Sequence, residues 1–150
     1  MSLKHKHLVG YIMLLAWMAV IFMLSHEPAD VSSTRSDVIS AAITSLSGGQ
    51  LDDVSTYVVR KSAHAVAYLV LGVLAYRVMR GHGLGDRRAV GFSILLCAVY
   101  AISDEVHQVF VPGRSGEVGD VLLDTVAASI GVIGYHGIRQ YLTKRAARHA

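Results

Sequence analysis

Three short segments of the sequence carry side chains whose types and spacing suit chemistry. In the first, Lys61, His64 and Tyr68 are three and four residues apart, so they share one face of a helix. In the second, carboxylates, a histidine and an amide follow one another, and in the third two aspartates are one turn apart. The second and third segments, with the turn between them, contribute Asp104, Glu105, His107, Gln108, Arg114, Asp120 and Asp124.

These residue types suit three kinds of chemistry. Lys61 and Arg114 suit the binding of phosphate or carboxylate, and a guanidinium does so with two parallel hydrogen bonds. A histidine next to a carboxylate is a general acid or base. Histidines with carboxylates are also ligands for Zn²⁺ or, with fewer histidines, for Mg²⁺ or Mn²⁺. No recognised metal motif is present, because Glu105-Val-His107 lacks the H-E-x-x-H spacing.

We therefore assign candidate roles to these residues. The candidate catalytic residues are His64, Asp104, Glu105 and His107. The candidate substrate-binding residues are Lys61, Tyr68, Gln108 and Arg114, and the candidate orienting or ion-pairing residues are Asp120 and Asp124. The cofactor is left open, with a divalent metal as the candidate and with the candidate ligands His64, Asp104, Glu105, His107 and Asp120.

A structural explanation of the same residues is the alternative. In that interpretation the bases neutralise the acids only so that the helices can assemble. The bases are Arg60, Lys61 and Arg114, and the acids are Asp104, Glu105, Asp120 and Asp124. Within the second segment, the helical period predicts that Asp104 and His107 share a face and that Glu105 points about 100° away.

The elements that must position these side chains are long and apolar. Of the 150 residues, 53% are hydrophobic and only 17% are charged, against about 25% charged in soluble domains. This composition excludes a soluble enzyme, a disordered chain and a fibrous repeat. A bilayer-spanning helix needs about 20 apolar residues, and we expect four such helices over residues 8–24, 62–79, 89–108 and 119–138.

The predicted fold is therefore all-α, an integral membrane four-helix bundle that forms a single domain over residues 1–150. Ala127-x-x-x-Gly131 predicts a close-packed face between two of the helices. A competing interpretation of residues 4–24 is a cleavable signal peptide, since Lys4 and Lys6 precede an apolar core. We expect a retained helix instead, because the apolar run is long and no small-x-small cleavage site follows it.

The charges sort to the two sides of the predicted bundle. The side with both termini and the connection at residues 77–88 holds ten bases and one acid. The other side holds four bases and ten acids, so net charges of +9 and −6 make up the total of +3. Positive residues stay in the cytoplasm, so we place both termini there and the polar residues on the extracytoplasmic side. The basic balance thus reflects topology, and we expect no nucleic-acid partner.

The long connection between the first two membrane helices is itself patterned. Residues 30–47 carry an apolar stripe, and Ser32, Ser33 and Thr34 are candidate N-caps. We expect short amphipathic helices that lie along the outer leaflet or fold over the bundle, with an ordinary loop as the alternative. Gly48 and Gly49 are expected to end the first of them, before a second short stripe at Leu51, Val54 and Val58.

The order of these motifs resembles the VanZ-like family of membrane proteins over roughly residues 14–137. The motifs are Phe22-Met-Leu-Ser25-x-x-Pro28, Lys61-x-x-His64-x-x-x-Tyr68-x-x-Leu71-Gly72, Ser103-Asp104-Glu105-x-His107-Gln108-x-Phe110-x-Pro112-Gly113-Arg114, and Asp120-x-x-x-Asp124 with Gly131. The block from Ser103 to Arg114 is the most specific of them. Asp124 is a departure, because asparagine is expected there in many members.

The resemblance implies a place of action and no reaction. The founding member of the family is associated with low-level resistance to the glycopeptide teicoplanin. The resemblance therefore implies a multi-pass protein of the bacterial cytoplasmic (inner) membrane that acts in the cell envelope. The expected function is an outward-facing intramembrane site that acts on or binds an anionic envelope lipid or a lipid-linked cell-wall precursor.

Two other functions stay open at this point, as does the question of whether the protein is an enzyme. One is a non-enzymatic accessory protein that recognises a lipid head group, a glycopeptide or a partner membrane protein. The other is a proton- or ion-coupled carrier, suggested by Asp124 below the surface and His136 near the opposite end. The carrier is the least favoured of these functions, because the sequence shows neither a pair of half-bundles nor broken helices.

Overall fold

The computed structural model describes residues 3–46 and 56–148, and their regular structure is entirely α-helical. Five helices follow one another along these residues: α1 (Leu3–Ser25), α2 (Ala29–Leu46), α3 (Thr56–Gly81), α4 (Asp86–Gln108) and α5 (Val118–Arg148). Gly48, Gly49, Leu51 and Val54 of the predicted outer stripes lie outside the described residues.

Four of the helices are long and apolar enough to cross a bilayer, which confirms the predicted all-α membrane bundle. The candidate spans are His7–Ser25, Tyr57–Gly81, Asp86–Gln108 and Val118–Arg148. Their outward faces are apolar, as Met23 and Leu15 show with exposed fractions of 69% and 63%. Contact of such side chains with lipid chains costs no free energy, whereas their exposure to water does.

The helices extend further than the predicted spans. α3 begins at Thr56 rather than near residue 62, and α5 continues to Arg148 rather than ending near residue 138. Hydropathy marks only the part of a helix that crosses hydrocarbon. Charged residues such as Arg60 and Lys61 form helix as readily as apolar ones do, so the hydrogen-bonded helix continues past the apolar part.

α3 and α5 form the tightest contact in the bundle. A Cβ placed on Gly72 would overlap the backbone carbonyl of Ala128, and one placed on Gly131 would overlap that of Leu69. The two glycines therefore let the backbones approach within a distance that no side chain permits. The close-packed face predicted at Ala127-x-x-x-Gly131 is confirmed, with α3 as its partner.

α1 and α4 pack around this pair. The Trp17 indole of α1 donates to the Ala67 carbonyl of α3 at 2.9 Å. The Tyr100 hydroxyl of α4 donates to the Met18 carbonyl of α1 at 2.6 Å. Small or flat side chains, among them Tyr68, Cys97, Ala101 and Ala128, fill the centre and are fully buried. The two hydrogen bonds fix the height of α1 relative to the site described below.

α2 confirms the predicted helix between the first two spans, but its predicted caps are wrong. The helix begins directly after Pro28, and the Ala29 N–H donates to the Pro112 carbonyl at 3.2 Å. Proline is favoured at a helix start because its fixed φ suits the first turn. Ser32 and Thr34 consequently lie inside the helix, where the Thr34 hydroxyl donates to the Asp30 carbonyl.

α2 presents its polar side to the bundle and its apolar side outward. Ser32 and Ser36 are buried, whereas Val31 and Val38 are exposed. Gly113, whose φ of 75° favours glycine, forms the turn that brings Pro112 to the start of α2. α2 is therefore docked on the bundle at its first turn and leaves an apolar stripe for lipid.

The α3–α5 contact predicts a sharp difference between glycines. Gly131→Ala must push α5 away from α3, and we expect it to lower the free energy of unfolding by about 1–3 kcal/mol, as overpacked cores do. Gly134→Ala is the matched control, since a Cβ there meets nothing within 4 Å. Reversible unfolding of both variants in detergent measures the difference, and equal stabilities would contradict the backbone contact.

Candidate functional site

The polar residues predicted from the sequence gather at one end of the bundle, here called the polar end. α1 and α4 finish there, and α3 and α5 begin there. Because α3 and α5 run antiparallel to α4, the first turns of α3 and α5 lie level with the last turns of α4. The residues at this level are Arg60, Lys61, His64, Asp104, Glu105, His107, Gln108, Arg114, Asp120 and Asp124.

The innermost group consists of His64, Asp104 and Asp124, here called the buried triad. One ligand atom from each residue lies within 4.8 Å of the other two. The His64 Nδ1 and the Asp124 Oδ2 are 3.5 Å apart. Asp104 and Asp124 are only 3% and 1% exposed. Three different helices thus bring a histidine and two carboxylates together inside the bundle.

The carboxylates of the buried triad have few partners. The Ser25 hydroxyl donates to the Asp104 Oδ2 at 2.8 Å. The Asp104 Oδ1 and both Asp124 oxygens are buried without a hydrogen bond, as is the Tyr68 hydroxyl. No lysine or arginine in the described parts of the chain forms an ion pair with either carboxylate. Burial of an unpaired carboxylate is costly, so this arrangement needs a compensating charge or proton.

Lys61 is occupied by a different set of acids. Its ammonium forms a close ion pair with Asp120 and lies 3.4 Å from the Glu117 carboxylate. The Tyr57 ring lies 5.0 Å from the same ammonium. The structural explanation offered for the polar residues therefore holds for Lys61 and Asp120. It does not hold for the buried triad, which Lys61 does not contact.

Glu105 secures the segment that leads into α5. Its carboxylate accepts the Glu117 N–H at 2.9 Å and the Gln108 amide at 3.3 Å. A Cβ on Gly116 would come within 2.8 Å of the Glu105 carbonyl. Glu105 thus faces a different element from Asp104, as the helical period predicts, and its oxygens are engaged within the protein.

Arg114 closes the end of α1. It donates to the Glu27 carbonyl at 2.9 Å, to the Leu24 carbonyl at 3.4 Å and to the Gln108 side-chain oxygen at 3.3 Å. The Leu24 carbonyl lies in the last turn of α1, where carbonyls have no partner within the helix, and the Glu27 carbonyl lies in the connection to α2. The guanidinium supplies a donor to both. A guanidinium has five N–H donors, so donors remain for a ligand.

Arg60 is the cation that the sequence-based assignment of roles left out. It is half-buried beside Arg114, and no ion pair joins it to a carboxylate among residues 3–46 and 56–148. Burial lowers the pKa of Arg114, and repulsion from Arg60 lowers it further, while Asp104, Glu27 and Glu105 oppose the shift. Two guanidinium groups in this position favour an anion between them.

His107 belongs to a separate pair at the rim. Its Nε2 lies 3.0 Å from the His26 Nδ1, and the two rings stack with centroids 5.2 Å apart. Phe22 also contacts His107, with ring centroids 4.5 Å apart. His107 and Asp104 share a face of α4, as predicted, and contact His26 and Ser25 at the end of α1, but only Asp104 belongs to the buried triad. His26 has no role in the sequence-based assignment.

Two adjoining cavities open at the polar end. The smaller, about 60 Å³, is polar, and the larger, about 250 Å³, lies between α1, α2 and α3. The smaller is bordered by Lys61, Gln108, Ser115, Glu117 and Asp120. The larger has apolar walls formed by Ile21, Leu24, Ile39, Val59, Ala63 and Ala67, and it is also bordered by Glu27, Ser32, Arg35 and Ser36. Arg60, His64 and Arg114 border both cavities. A polar pocket and an apolar cavity therefore meet at two cations and a histidine.

The contacts of Arg114 predict that this residue stabilises the fold by joining the α4–α5 connection to the Leu24 and Glu27 carbonyls. Arg114→Ala leaves the carbonyls of Leu24 and Glu27 without a donor, and we expect it to destabilise the protein by about 1.5–3 kcal/mol. Arg35→Ala, which removes the surface ion pair to Glu27, is the matched control and should cost less than about 1 kcal/mol. Equal losses in detergent unfolding would show that Arg114 does not hold the end of α1.

Comparison with protein families gives one result for this chain. The family model described as VanZ/LLP1 matches residues 10–140. Comparisons with curated proteins and with solved structures give no match. The family match covers most of the chain and includes every residue of the polar end. The chain belongs to the VanZ/LLP1 family.

Proposed function

We propose that this VanZ-family membrane protein binds the anionic head group of an envelope lipid or a lipid-linked cell-wall precursor at the polar end. The main support for this proposal is the junction of the two cavities, which Arg60, His64 and Arg114 border. A lipid has a charged part and an apolar part joined at one point. The two cavities have the same arrangement.

The head group is assigned to the smaller cavity because three cations and two carboxylates border it, and both carboxylates lie against Lys61. Arg60 has no carboxylate partner among the described residues, and Arg114 keeps donors that its three protein contacts do not use. Guanidinium groups bind phosphate with paired hydrogen bonds and are more weakly hydrated than ammonium groups. Lys61 supports the site indirectly, because its own charge is taken up by Asp120.

The apolar part of the ligand is assigned to the larger cavity. Its walls come from α1, α2 and α3, and Ile21, Val59 and Ala67 are among them. A volume of about 250 Å³ is below the roughly 300–1,000 Å³ of pockets that enclose a whole small molecule. The cavity therefore takes only the first segment of a lipid chain, and the remainder lies in the bilayer.

The charge distribution supports an outward-facing site in a bacterial cytoplasmic membrane. The side that holds both termini carries a net charge of +9, and the side of the polar end carries −6. The positive-inside rule then puts both termini in the cytoplasm. The polar end faces the cell envelope in this orientation, where anionic lipids and lipid-linked precursors are exposed.

The second candidate function is catalytic turnover of the bound lipid, and the position of His64 suggests it. It borders the head-group cavity on one side and lies 3.5 Å from the Asp124 carboxylate on the other. A histidine between a ligand and a carboxylate is the arrangement of a general acid–base pair. A protein that only recognises a lipid, a glycopeptide or a partner protein does not need this contact. Product formation from a bound lipid, abolished by His64→Ala, would separate the two functions.

The lipid proposal predicts that Arg60 sets affinity. Arg60→Gln should weaken the binding of phosphatidylglycerol to the purified protein about tenfold, the equivalent of about 1.4 kcal/mol. Binding is measured by competition with a fluorescent phosphatidylglycerol in neutral-lipid nanodiscs. Arg87→Gln, an exposed arginine at the opposite end of the bundle, controls for the loss of one positive charge.

The contrast between the two variants decides the proposal. Wild-type affinity in Arg87→Gln with weakened binding in Arg60→Gln supports a head-group site at the polar end. Equal affinities in both variants would show that the junction of the two cavities does not bind the anionic head group.

A further inference from the structure

The buried triad has a geometry that its protein contacts do not explain. The His64 imidazole, the Asp104 carboxylate and the Asp124 carboxylate come from α3, α4 and α5, and their ligand atoms converge within 4.8 Å. Ligand atoms bonded to one Zn²⁺ at about 2.0–2.2 Å in a tetrahedron lie roughly 3.4 Å apart. The separation of 3.5 Å between His64 Nδ1 and Asp124 Oδ2 already matches this value.

The electrostatics of the triad call for a cation. Two carboxylates lie inside the bundle with exposed fractions of 3% and 1%, and three of their four oxygens are without a hydrogen bond. Lys61 is paired with Asp120, and Arg114 is bonded to the Leu24 and Glu27 carbonyls and to Gln108. A divalent cation would balance both carboxylates and occupy the unpartnered oxygens in one step.

The surroundings of the triad are those of an oriented ligand set. The Ser25 hydroxyl donates to the Asp104 Oδ2 at 2.8 Å, which leaves the Oδ1 of the same carboxylate for coordination. Carboxylate ligands of metals are commonly held by such hydrogen bonds. The His64 side chain is 18% exposed and borders both cavities, so an ion can reach the triad from the polar end.

We propose that His64, Asp104 and Asp124 bind one divalent metal ion, Zn²⁺ in the first instance. One imidazole and two carboxylates suit Zn²⁺ and also Mn²⁺, whereas Mg²⁺ favours oxygen ligands and retains its waters. Three protein ligands leave a coordination position for water, as in catalytic zinc sites. This site goes beyond lipid recognition, since its ligands are not the guanidinium groups assigned to the head group. His64 is the residue that it shares with the junction of the two cavities, and a metal ion bound to the His64 Nδ1 would replace the acid–base contact of this nitrogen with Asp124.

The ligand set differs from the candidates read from the sequence. Asp124 joins the set as a ligand, whereas Glu105, His107 and Asp120 are bonded elsewhere. The difference supplies a matched pair of variants. Asp124→Asn removes a ligand, and Asp120→Asn removes the same charge one helical turn away, at a carboxylate paired with Lys61.

The first experiment measures Zn²⁺ alone on the purified full-length protein in detergent. We expect about one equivalent of Zn²⁺ by elemental analysis after equilibration with a metal buffer. Loss of an outer hydrogen-bond partner costs 10–100-fold in metal affinity, so Asp124→Asn should cost at least about 100-fold, while Asp120→Asn should cost little. Zn²⁺ should also raise the unfolding temperature of the wild type and of Asp120→Asn, and leave Asp124→Asn unchanged.

A second variant tests the site by a gain of signal. His64→Cys introduces a thiolate ligand, so Co²⁺ should give a sulfur-to-cobalt charge-transfer absorption in this variant. Wild type contains Cys97, which is fully buried in the core and outside the triad, and should give no such band. The band therefore reports coordination at position 64 whether or not Asp124→Asn folds.

Three results would overturn the metal site. One is wild-type protein that holds no more Zn²⁺ than Asp124→Asn, another is equal loss of Zn²⁺ in Asp120→Asn, and the third is the absence of a cobalt–thiolate band in His64→Cys. An infrared band of a protonated carboxylic acid that is lost in Asp124→Asn would further show that the triad is neutralised by protons instead. These measurements detect a bound metal ion or a protonated carboxylic acid, so none of them depends on lipid binding.

Discussion

The backbone contact between α3 and α5 is the constraint on which the site depends. Gly72 and Gly131 let the two helices touch at their carbonyls, and this contact fixes their spacing and rotation. His64 lies about two turns before Gly72, and Asp124 lies about two turns before Gly131. Because each helix is rigid over such a distance, the close approach brings His64 and Asp124 to 3.5 Å at the polar end.

The charges of the polar end divide into two groups with different physical roles. Lys61 with Asp120, Glu105 with the Glu117 N–H, and Arg114 with the Leu24 and Glu27 carbonyls are satisfied within the protein and join its elements. In the buried triad, by contrast, the Asp104 Oδ1 and both Asp124 oxygens have no hydrogen bond, and Arg60 forms no ion pair with a carboxylate among the described residues. Groups that stabilise a fold are normally paired when they are buried. We therefore assign Arg60 and the unpaired oxygens of the triad, whose His64 borders both cavities, to ligands.

Much of the fold could be predicted from the sequence, because hydropathy and charge act along the chain. The four spans, the amphipathic α2 and the gathering of polar residues at one end follow from such patterns. The pairing of polar side chains could not be predicted, since it depends on the rotation of one helix against another. Ser25 and His26 follow the first predicted span, yet they contact Asp104 and His107. Arg60 precedes Lys61 in the sequence, which gives it no role of its own. Its position at the junction of the two cavities is what identifies it as a candidate ligand-binding residue.

In the function proposed above, the polar end recognises the boundary between the charged and the apolar part of a lipid. A high-resolution structure of the protein in nanodiscs of phosphatidylglycerol tests this recognition. We expect density for a phosphate within hydrogen-bonding distance of the Arg60 guanidinium, continuous with chain density between α1, α2 and α3. Arg60 turned toward a protein carboxylate, with the larger cavity filled by side chains of the protein, would contradict it.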